Sequence, residues 1–182
     1  MNLPNALSMV RIFLIPVLVV FLIAVPRPYN LTAAAVFLAA VLTDWLDGRI
    51  ARRTRQVTTL GKLLDPVADK LLISASLISL VQVGRVQAWM VVLIVGRDIA
   101  VTGLRAIAAA QNVVIQANDF GKLTMAAEVI AVALLILNWP LAVVPLAQVS
   151  LGQVVLAAAA TLSLASGVIY FCKFWRCVDL EK

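Results

Sequence analysis

Long apolar runs separated by short polar stretches dominate the chain. Six runs approach the length of about 20 mostly apolar residues that a bilayer-spanning helix needs, and they lie at 6–25, 31–51, 61–82, 86–108, 121–138 and 146–172. Segments such as "VPRPYN" and "RRTRQVTT" separate them, and their Pro, Asn and charged residues favour turns. The pattern predicts an all-α integral membrane protein, a six-transmembrane-helix bundle, with one domain over 1–182.

The composition supports a membrane protein. Hydrophobic residues make up 63% of the 182 positions, whereas a soluble domain averages about 45–50%. There is no histidine, and the two cysteines, Cys172 and Cys177, lie near the end. A disulfide framework is therefore not expected, and the usual proton shuttle and commonest metal ligand are missing. The first apolar run lacks a small-residue cleavage site, so we expect it to be retained.

Basic residues predict the orientation in the membrane. Six spans put both termini on one side, and positively charged loops normally face the cytoplasm. Only Arg27 and Arg85 lie in the connections on the other side. The terminal side carries Arg49, Arg52, Arg53, Arg55, Lys62, Arg105, Lys122, Lys173, Arg176 and Lys182. We therefore expect a bacterial-type inner (cytoplasmic) membrane protein with both termini in the cytoplasm.

Four aspartates lie where the second predicted span ends and the third begins. Asp44 and Asp47 are three residues apart, and Asp65 and Asp69 are four apart, so each pair shares a helix face. Because a short connection joins the two spans, all four carboxylates should converge at the cytoplasmic membrane edge. This predicts an active site there.

Clustered carboxylates stay ionised only with compensating cations. Oxygen ligands without histidine favour Mg²⁺ or Mn²⁺, and two such ions about 3.5–4 Å apart form a clamp for phosphoryl displacement. Gly48 would let a ligand approach the backbone beside Asp47, and Arg52 could hold a phosphate through two hydrogen bonds. The alternative, for any single charge here, is an ordinary interfacial residue at a helix end.

The order of these residues resembles the complete signature of the CDP-alcohol phosphatidyltransferases. In this chain it is Asp44-x-x-Asp47-Gly48-x-x-Ala51-Arg52, eight further residues, and Gly61-x-x-x-Asp65-x-x-x-Asp69. The resemblance covers nearly the whole chain, because the core of that family is also six helices. It implies that an alcohol hydroxyl displaces CMP from a CDP-linked lipid.

The resemblance also implies roles for individual residues. The four aspartates match the family's metal ligands, which hold two ions, and Asp69 matches the general base that acts on the acceptor hydroxyl. Gly48 and Arg52 match positions that contact the CDP part of the donor. Thr58, three residues before Gly61, stands where the family has a hydroxyl residue touching the nucleotide.

Three cations outside this signature are candidates for binding an acceptor phosphate. Arg105 and Lys122 flank one cytoplasmic connection, so they could meet in space, although both could instead be cytoplasmic anchors. Arg97 lies within an apolar stretch and could alternatively form an ion pair between helices. Its pairing with Asp98 should be imperfect, because adjacent helical residues point apart.

Further segments resemble one branch of the family. They are "NLPNALSMVRIFLIPVLVVF", "GKLLDPVADK" and "GRDIAVTGLRAIAAAQNVVIQANDFGKLTM", and they imply CDP-diacylglycerol as donor and sn-glycerol 3-phosphate as acceptor. Asn5, Ser8 and Arg11 in the first segment could line a nucleotide or phosphate pocket, or simply start an interfacial helix. Membrane lipids and a homodimer are also expected, and no nucleic acid. Glu128 is a carboxylate within an apolar span and has no assigned role.

Two other functions are open. Family members that use inositol phosphate need the same kind of cationic pocket, whereas serine or a lipid acceptor would need a different one. A divalent-cation transporter could also use four aspartates, but transport sites typically lie at the bilayer midplane between repeated halves. Here the carboxylates lie at one edge, no repeat is visible, and Arg52 would repel a cation.

Overall fold

Six α-helices account for most of the residues that the structure describes. The structure is a computed structural model, and it describes residues 3–24, 30–54, 59–110, 119–138 and 150–179. The helices are α1 Leu3–Ala24, α2 Asn30–Thr54, α3 Thr59–Gln82, α4 Ala88–Ala110, α5 Asp119–Leu137 and α6 Leu151–Asp179. For the described residues, the prediction of an all-α protein is confirmed, and most helix ends lie within three residues of the predicted spans.

Length and apolarity single out one helix as able to cross a membrane. Among the described residues, the stretch Leu151–Trp175 of α6 is long and apolar enough. Shorter apolar helices lie at Ser8–Ala24, Leu31–Asp44 and Leu123–Leu137. Charged residues interrupt the apolar runs of α3 and α4, where Asp69, Lys70, Arg97 and Asp98 occur. Six membrane crossings therefore stay a prediction.

The core runs along the middle of the bundle. α1 packs against α2 and α3, while α6 packs against α4 and α5. Large apolar side chains from five helices meet there and are almost completely buried, among them Leu18, Phe37, Leu77, Leu135 and Leu156. Ala33, Ala40, Ala131 and Ala160 share this core, and such small residues let helix backbones approach one another closely.

α5 and α6 approach each other closely at Gly152, near the start of α6. A Cβ atom at this position would lie 2.7 Å from the backbone nitrogen of Leu135 in α5. Real Cβ atoms do not approach a backbone nitrogen that closely, so only glycine fits without moving α5 away from α6.

The turn after α3 links three helix ends. Gly84 has a φ of 72°, a left-handed conformation that glycine adopts without strain. The amide of Arg85 donates to Leu80 O at 2.9 Å and that of Gly84 to Val81 O at 2.9 Å, which is the Schellman arrangement. The Arg85 side chain then donates to the carbonyl oxygens of Leu135 and Ile136. It thereby satisfies two carbonyls at the end of α5.

The start of α6 is joined to the same turn. Ser150 and Gln153 form a capping box. The backbone N–H of Gln153 donates to Ser150 Oγ, and the backbone N–H of Ser150 donates to Gln153 Oε1. Gln153 Nε2 also donates to the carbonyl of Arg85 at 2.9 Å. α3, α5 and α6 are thus held together at the end of the bundle away from the aspartates.

Candidate active site

Arg11 joins two of the predicted aspartates. Its Nη1 lies 3.1 Å from Asp44 Oδ1 and 2.8 Å from Asp69 Oδ1. The arginine side chain is fully buried, whereas those of Asp44 and Asp69 are 41% and 17% exposed. One nitrogen therefore bridges carboxylates from α2 and α3, and the structure brings Asp44 and Asp69 together as the spacing predicts.

The burial of α1 residues decides between two expectations for this helix. Ser8 and Arg11 are 1% and 0% exposed, and they are three residues apart on one helix face. Both therefore face the protein interior, and an interfacial helix start is wrong for these two. Asn5 belongs to α1, but its side chain lies outside the described residues.

Several predicted site residues lie outside the described side chains. Asp47, Gly48 and Arg52 belong to the helical backbone of α2, Asp65 to that of α3, and Lys122 to that of α5. Thr58 lies outside the described residues altogether. The roles of these six residues stay predictions.

The described carboxylates are of the chemical type that binds a hard metal ion, and the two-ion site stays a prediction. Among the described side chains, no three metal-ligating groups converge, and those of Asp47 and Asp65 are not among them. Asp44 and Asp69 nevertheless present oxygens to one cationic nitrogen. Two carboxylate oxygens gathered around one positive charge are the donor type that Mg²⁺ and Mn²⁺ prefer.

A cavity of about 240 Å³ opens next to Asp69, between α3, α4, α5 and α6. All four helices contribute polar side chains to its wall. The lining includes Asp69, Lys70, Arg97, Arg105, Glu128 and Tyr170. Arg97 and Arg105, two of the three predicted phosphate-binding cations, thus share a cavity with the predicted base, and Gly121, which precedes Lys122, lines it too.

Arg97 is held by two side chains. Its Nη1 donates to Asp98 Oδ1 at 2.7 Å and its Nη2 to Ser166 Oγ at 2.8 Å. The expectation of imperfect pairing with Asp98 is therefore wrong, because the long arginine side chain can fold back to its neighbour. Gly167 leaves room for it, since a Cβ there would lie 3.0 Å from Arg97 Cγ.

Arg105 packs on an aromatic ring at the cavity wall. Its Cζ lies 5.7 Å from the centroid of the Tyr170 ring, within the range of a cation–π interaction. Tyr170 is buried, so α6 supplies a fixed platform for an otherwise exposed guanidinium. The ring thus orients Arg105 beside the cavity, and among the described residues no carboxylate forms an ion pair with it.

Lys70 is a cavity residue that was not predicted from the sequence. Its Nζ donates to the backbone carbonyl of Asp98 at 3.2 Å and also to the hydroxyl of Thr102, so it links α3 to α4. The one available signal was its position directly after Asp69. A lysine there could equally point to solvent, and only the packing of α4 decides that it lines the cavity.

The cavity is lined by three acidic side chains, Asp69, Asp98 and Glu128, and by three basic ones, Lys70, Arg97 and Arg105. Two of the basic side chains are left without an acidic partner among the described residues, which favours an anionic ligand. Asp69 is paired with Arg11 and Asp98 with Arg97. Within the described part of the chain, Lys70 and Arg105 form no ion pair, so their positive charges are available to a ligand. Asp69 at the edge of the cavity could accept a proton from a hydroxyl of that ligand.

Comparison with known families gives one match over most of the chain. The model of the family described as CDP-alcohol phosphatidyltransferase matches residues 1–165. This range includes all four predicted metal ligands, the described cavity lining up to α5, and much of α6.

Individual relatives cover nearly the whole chain. A CDP-diacylglycerol–glycerol-3-phosphate 3-phosphatidyltransferase of Bacillus subtilis (strain 168) is 41% identical over 96% of this chain and 96% of its own. A protein of that name numbered 2, from Arabidopsis thaliana, is 35% identical over 96% of this chain and 80% of its own. A cardiolipin synthase (CMP-forming) of Oryza sativa subsp. japonica is 33% identical over 97% of this chain and 58% of its own.

Proposed function

The chain belongs to the CDP-alcohol phosphatidyltransferase family, and from this premise we propose that it transfers a phosphatidyl group from CDP-diacylglycerol to sn-glycerol 3-phosphate. The acceptor hydroxyl oxygen forms a bond to the phosphorus that carries the diacylglycerol. The bond from that phosphorus to the CMP oxygen breaks, and phosphatidylglycerophosphate and CMP result. The observation that carries the proposal is the cation-lined cavity beside Asp69.

The donor belongs on the Arg11 side of Asp69. Asp44, Asp47, Asp65 and Asp69 would hold two Mg²⁺ or Mn²⁺ ions, while Gly48, Arg52 and Thr58 would contact the CDP part of the donor. When bound, the ions neutralise the pyrophosphate and stabilise CMP as leaving group. The contact of Arg11 with both described carboxylates supports this placement, because it gathers oxygen donors from α2 and α3.

The acceptor belongs in the cavity on the other side of Asp69. Arg97, Arg105 and Lys122 would bind its phosphate, since guanidinium groups match phosphate oxygens through charge-assisted hydrogen bonds. We add Lys70 to this set because it lines the same cavity. Asp69 would then accept the proton of the attacking hydroxyl, as a general base within reach of it.

The surface of the bundle supports a membrane location. Phe13, Leu31, Val92, Ile99 and Val168 are each more than 60% exposed, and so many large apolar side chains facing outward suit a lipid environment. We place the chain in a bacterial-type inner membrane as a six-span bundle, with termini and active site on the cytoplasmic side. A homodimer is part of the proposal.

The test is an acceptor panel with purified protein, CDP-diacylglycerol and Mg²⁺. Glycerol 3-phosphate, inositol phosphate, serine and phosphatidylglycerol are supplied separately, and the lipid product is identified by mass. We expect phosphatidylglycerophosphate with glycerol 3-phosphate and little product otherwise. A different preferred acceptor would contradict the assignment, and Mn²⁺ flux into liposomes without CMP release would favour a transporter instead.

A further inference from the structure

The cavity beside Asp69 contains one acidic side chain that the proposed reaction does not use. Glu128 of α5 lines the cavity and is 3% exposed. The other two acids of the lining are paired with arginines, Asp69 with Arg11 and Asp98 with Arg97. Among the described residues, Glu128 forms no such ion pair, so its position in the cavity calls for an explanation.

One oxygen of Glu128 is left without a hydrogen bond. Oε1 is fully buried and has no hydrogen-bond partner among the protein's groups, and the same is true of the Tyr170 hydroxyl in the same lining. Leaving a buried polar group unpaired destabilises a protein, and a charged group more so. Arg97 Nε, in the same lining, is unpaired as well. Three unpaired polar atoms in one cavity indicate that a bound molecule supplies partners there.

The chemistry of Glu128 restricts which part of a ligand can face it. The unpaired oxygen of this carboxyl group can accept a hydrogen bond, so a hydroxyl of the ligand suits the position beside it. The phosphate is attracted instead to Lys70 and Arg105. The attacking hydroxyl must lie at Asp69, which leaves the remaining hydroxyl of the acceptor for Glu128.

We propose that Glu128 binds the hydroxyl on the middle carbon of the acceptor and selects a polyol phosphate over phosphates that carry only the attacking hydroxyl. The inference rests on the proposed function, because it concerns the same acceptor cavity. A site built to hydrogen-bond a hydroxyl rejects an analogue that lacks it strongly, since its own polar group is then left unpaired. Glu128 is on this view a specificity-determining residue.

The test compares two acceptors, glycerol 3-phosphate and 3-hydroxypropyl phosphate, which lacks the middle hydroxyl. Wild-type protein should favour glycerol 3-phosphate in kcat/KM by about tenfold or more. Glu128→Leu should lose this preference, chiefly through slower use of glycerol 3-phosphate. Glu128→Gln should keep most of it, because the amide oxygen still accepts a hydrogen bond.

Ser163→Ala is the matched control. The Ser163 hydroxyl is also buried and unpaired, but it does not line the cavity, so its removal should leave the acceptor preference unchanged. Glu128→Leu should unfold at the same or a higher temperature than wild type in the absence of acceptor, because it removes an unpaired buried oxygen.

Two results would overturn the inference while leaving the proposed function intact. One is wild-type protein that makes phosphatidylglycerophosphate but uses both acceptors equally, which decides the matter even if Glu128→Leu does not fold. The other is a folded Glu128→Leu variant that keeps the wild-type preference. Failure of wild-type protein to use glycerol 3-phosphate at all would instead refute the proposed function.

Discussion

Arg11 places one positive charge between carboxylates that belong to two other helices. Without Arg11, Asp44 and Asp69 would repel each other. Because these carboxylates are 41% and 17% exposed, the loss of stability should be smaller than the roughly 3–5 kcal/mol of a fully buried ion pair. We therefore expect Arg11→Met to unfold several degrees below wild type in a detergent melt. Added Mg²⁺ should recover part of the loss, because the same carboxylates would bind it.

Arg11→Lys is the control for this prediction. It keeps the positive charge on a shorter side chain, whose nitrogen would not reach Asp44 and Asp69 as closely, so its unfolding temperature should lie between those of wild type and Arg11→Met. An Arg11→Met protein that melts like wild type would show that the contacts with Asp44 and Asp69 contribute little.

Arg105 offers a second test at the scale of one side chain. Its guanidinium lies over the Tyr170 ring at the cavity wall and would bind the acceptor phosphate. Arg105→Ala should raise the KM for glycerol 3-phosphate about tenfold or more, since a hydrogen bond to a charged group contributes about 1.5–3 kcal/mol. The KM for CDP-diacylglycerol should change much less.

Lys173→Ala is the control for Arg105→Ala, because it also removes one positive charge. Lys173 is exposed on α6 and does not line the cavity. If both alanine variants raise the acceptor KM equally, the effect of Arg105 is a general loss of surface charge rather than loss of a phosphate contact.

Residue spacing predicted some of the site, and packing decided the rest. The spacing of the aspartates from Asp44 to Asp69 predicts that they share helix faces, because helix periodicity fixes which residues lie on one face. Arg105 was predicted from its position next to a cytoplasmic connection. The roles of Arg11 and Lys70 depend on neighbouring helices that are distant in sequence. No spacing rule could show that Arg11 of α1 would contact both Asp44 of α2 and Asp69 of α3.

At the scale of the helix pair, α5 and α6 can approach closely at Gly152 because this residue has no side chain. A Cβ there would meet the backbone of Leu135, so Gly152→Ala must push the two helices apart. Overpacking typically costs about 1–3 kcal/mol. We expect a lower unfolding temperature in a detergent melt.

Gly103→Ala provides the comparison for Gly152→Ala. Gly103 lies within α4, and no atom lies within 4 Å of a Cβ built there. Alanine favours a helix interior by about 0.5–1 kcal/mol over glycine, so this variant should be at least as stable as wild type. Equal destabilisation by both changes would contradict the close contact of α5 with α6.

The helices themselves were easier to predict than their ends. Apolar runs fix where a helix lies, and α3 ends at Gln82 as the sequence predicts, next to the glycine of a Schellman turn. α6 differs most, because it runs from Leu151 to Asp179 and not from residue 146 to 172. The capping box of Ser150 and Gln153 sets the start of α6. The residues that precede it in the sequence are also apolar, so hydropathy alone does not show where the helix begins.

In the whole molecule, the two parts of the site meet at Asp69. Its carboxylate contacts Arg11, which also contacts Asp44, and it lines the cavity as well. The proposed metal ions and the proposed acceptor would therefore share this one carboxylate. A chain with charges at both places can therefore bring a pyrophosphate and a second anion together without direct repulsion.

Metal removal tests the first of these two parts. Chelation with EDTA should abolish CMP release, since carboxylates alone would repel the donor pyrophosphate. Excess Mg²⁺ or Mn²⁺ should restore the activity. Turnover that is indifferent to EDTA would rule out the two-ion arrangement while leaving the acceptor cavity untested, so CMP release and acceptor KM are measured in the same assays.

The most direct test of the central claim is CMP release by purified Asp69→Asn. Asparagine keeps the shape of the side chain but is a far weaker base, and a general base contributes about 10²–10⁴ in rate. We predict that CMP release falls by that factor while the protein stays folded and still binds CDP-diacylglycerol. Near-normal CMP release from Asp69→Asn would contradict the account.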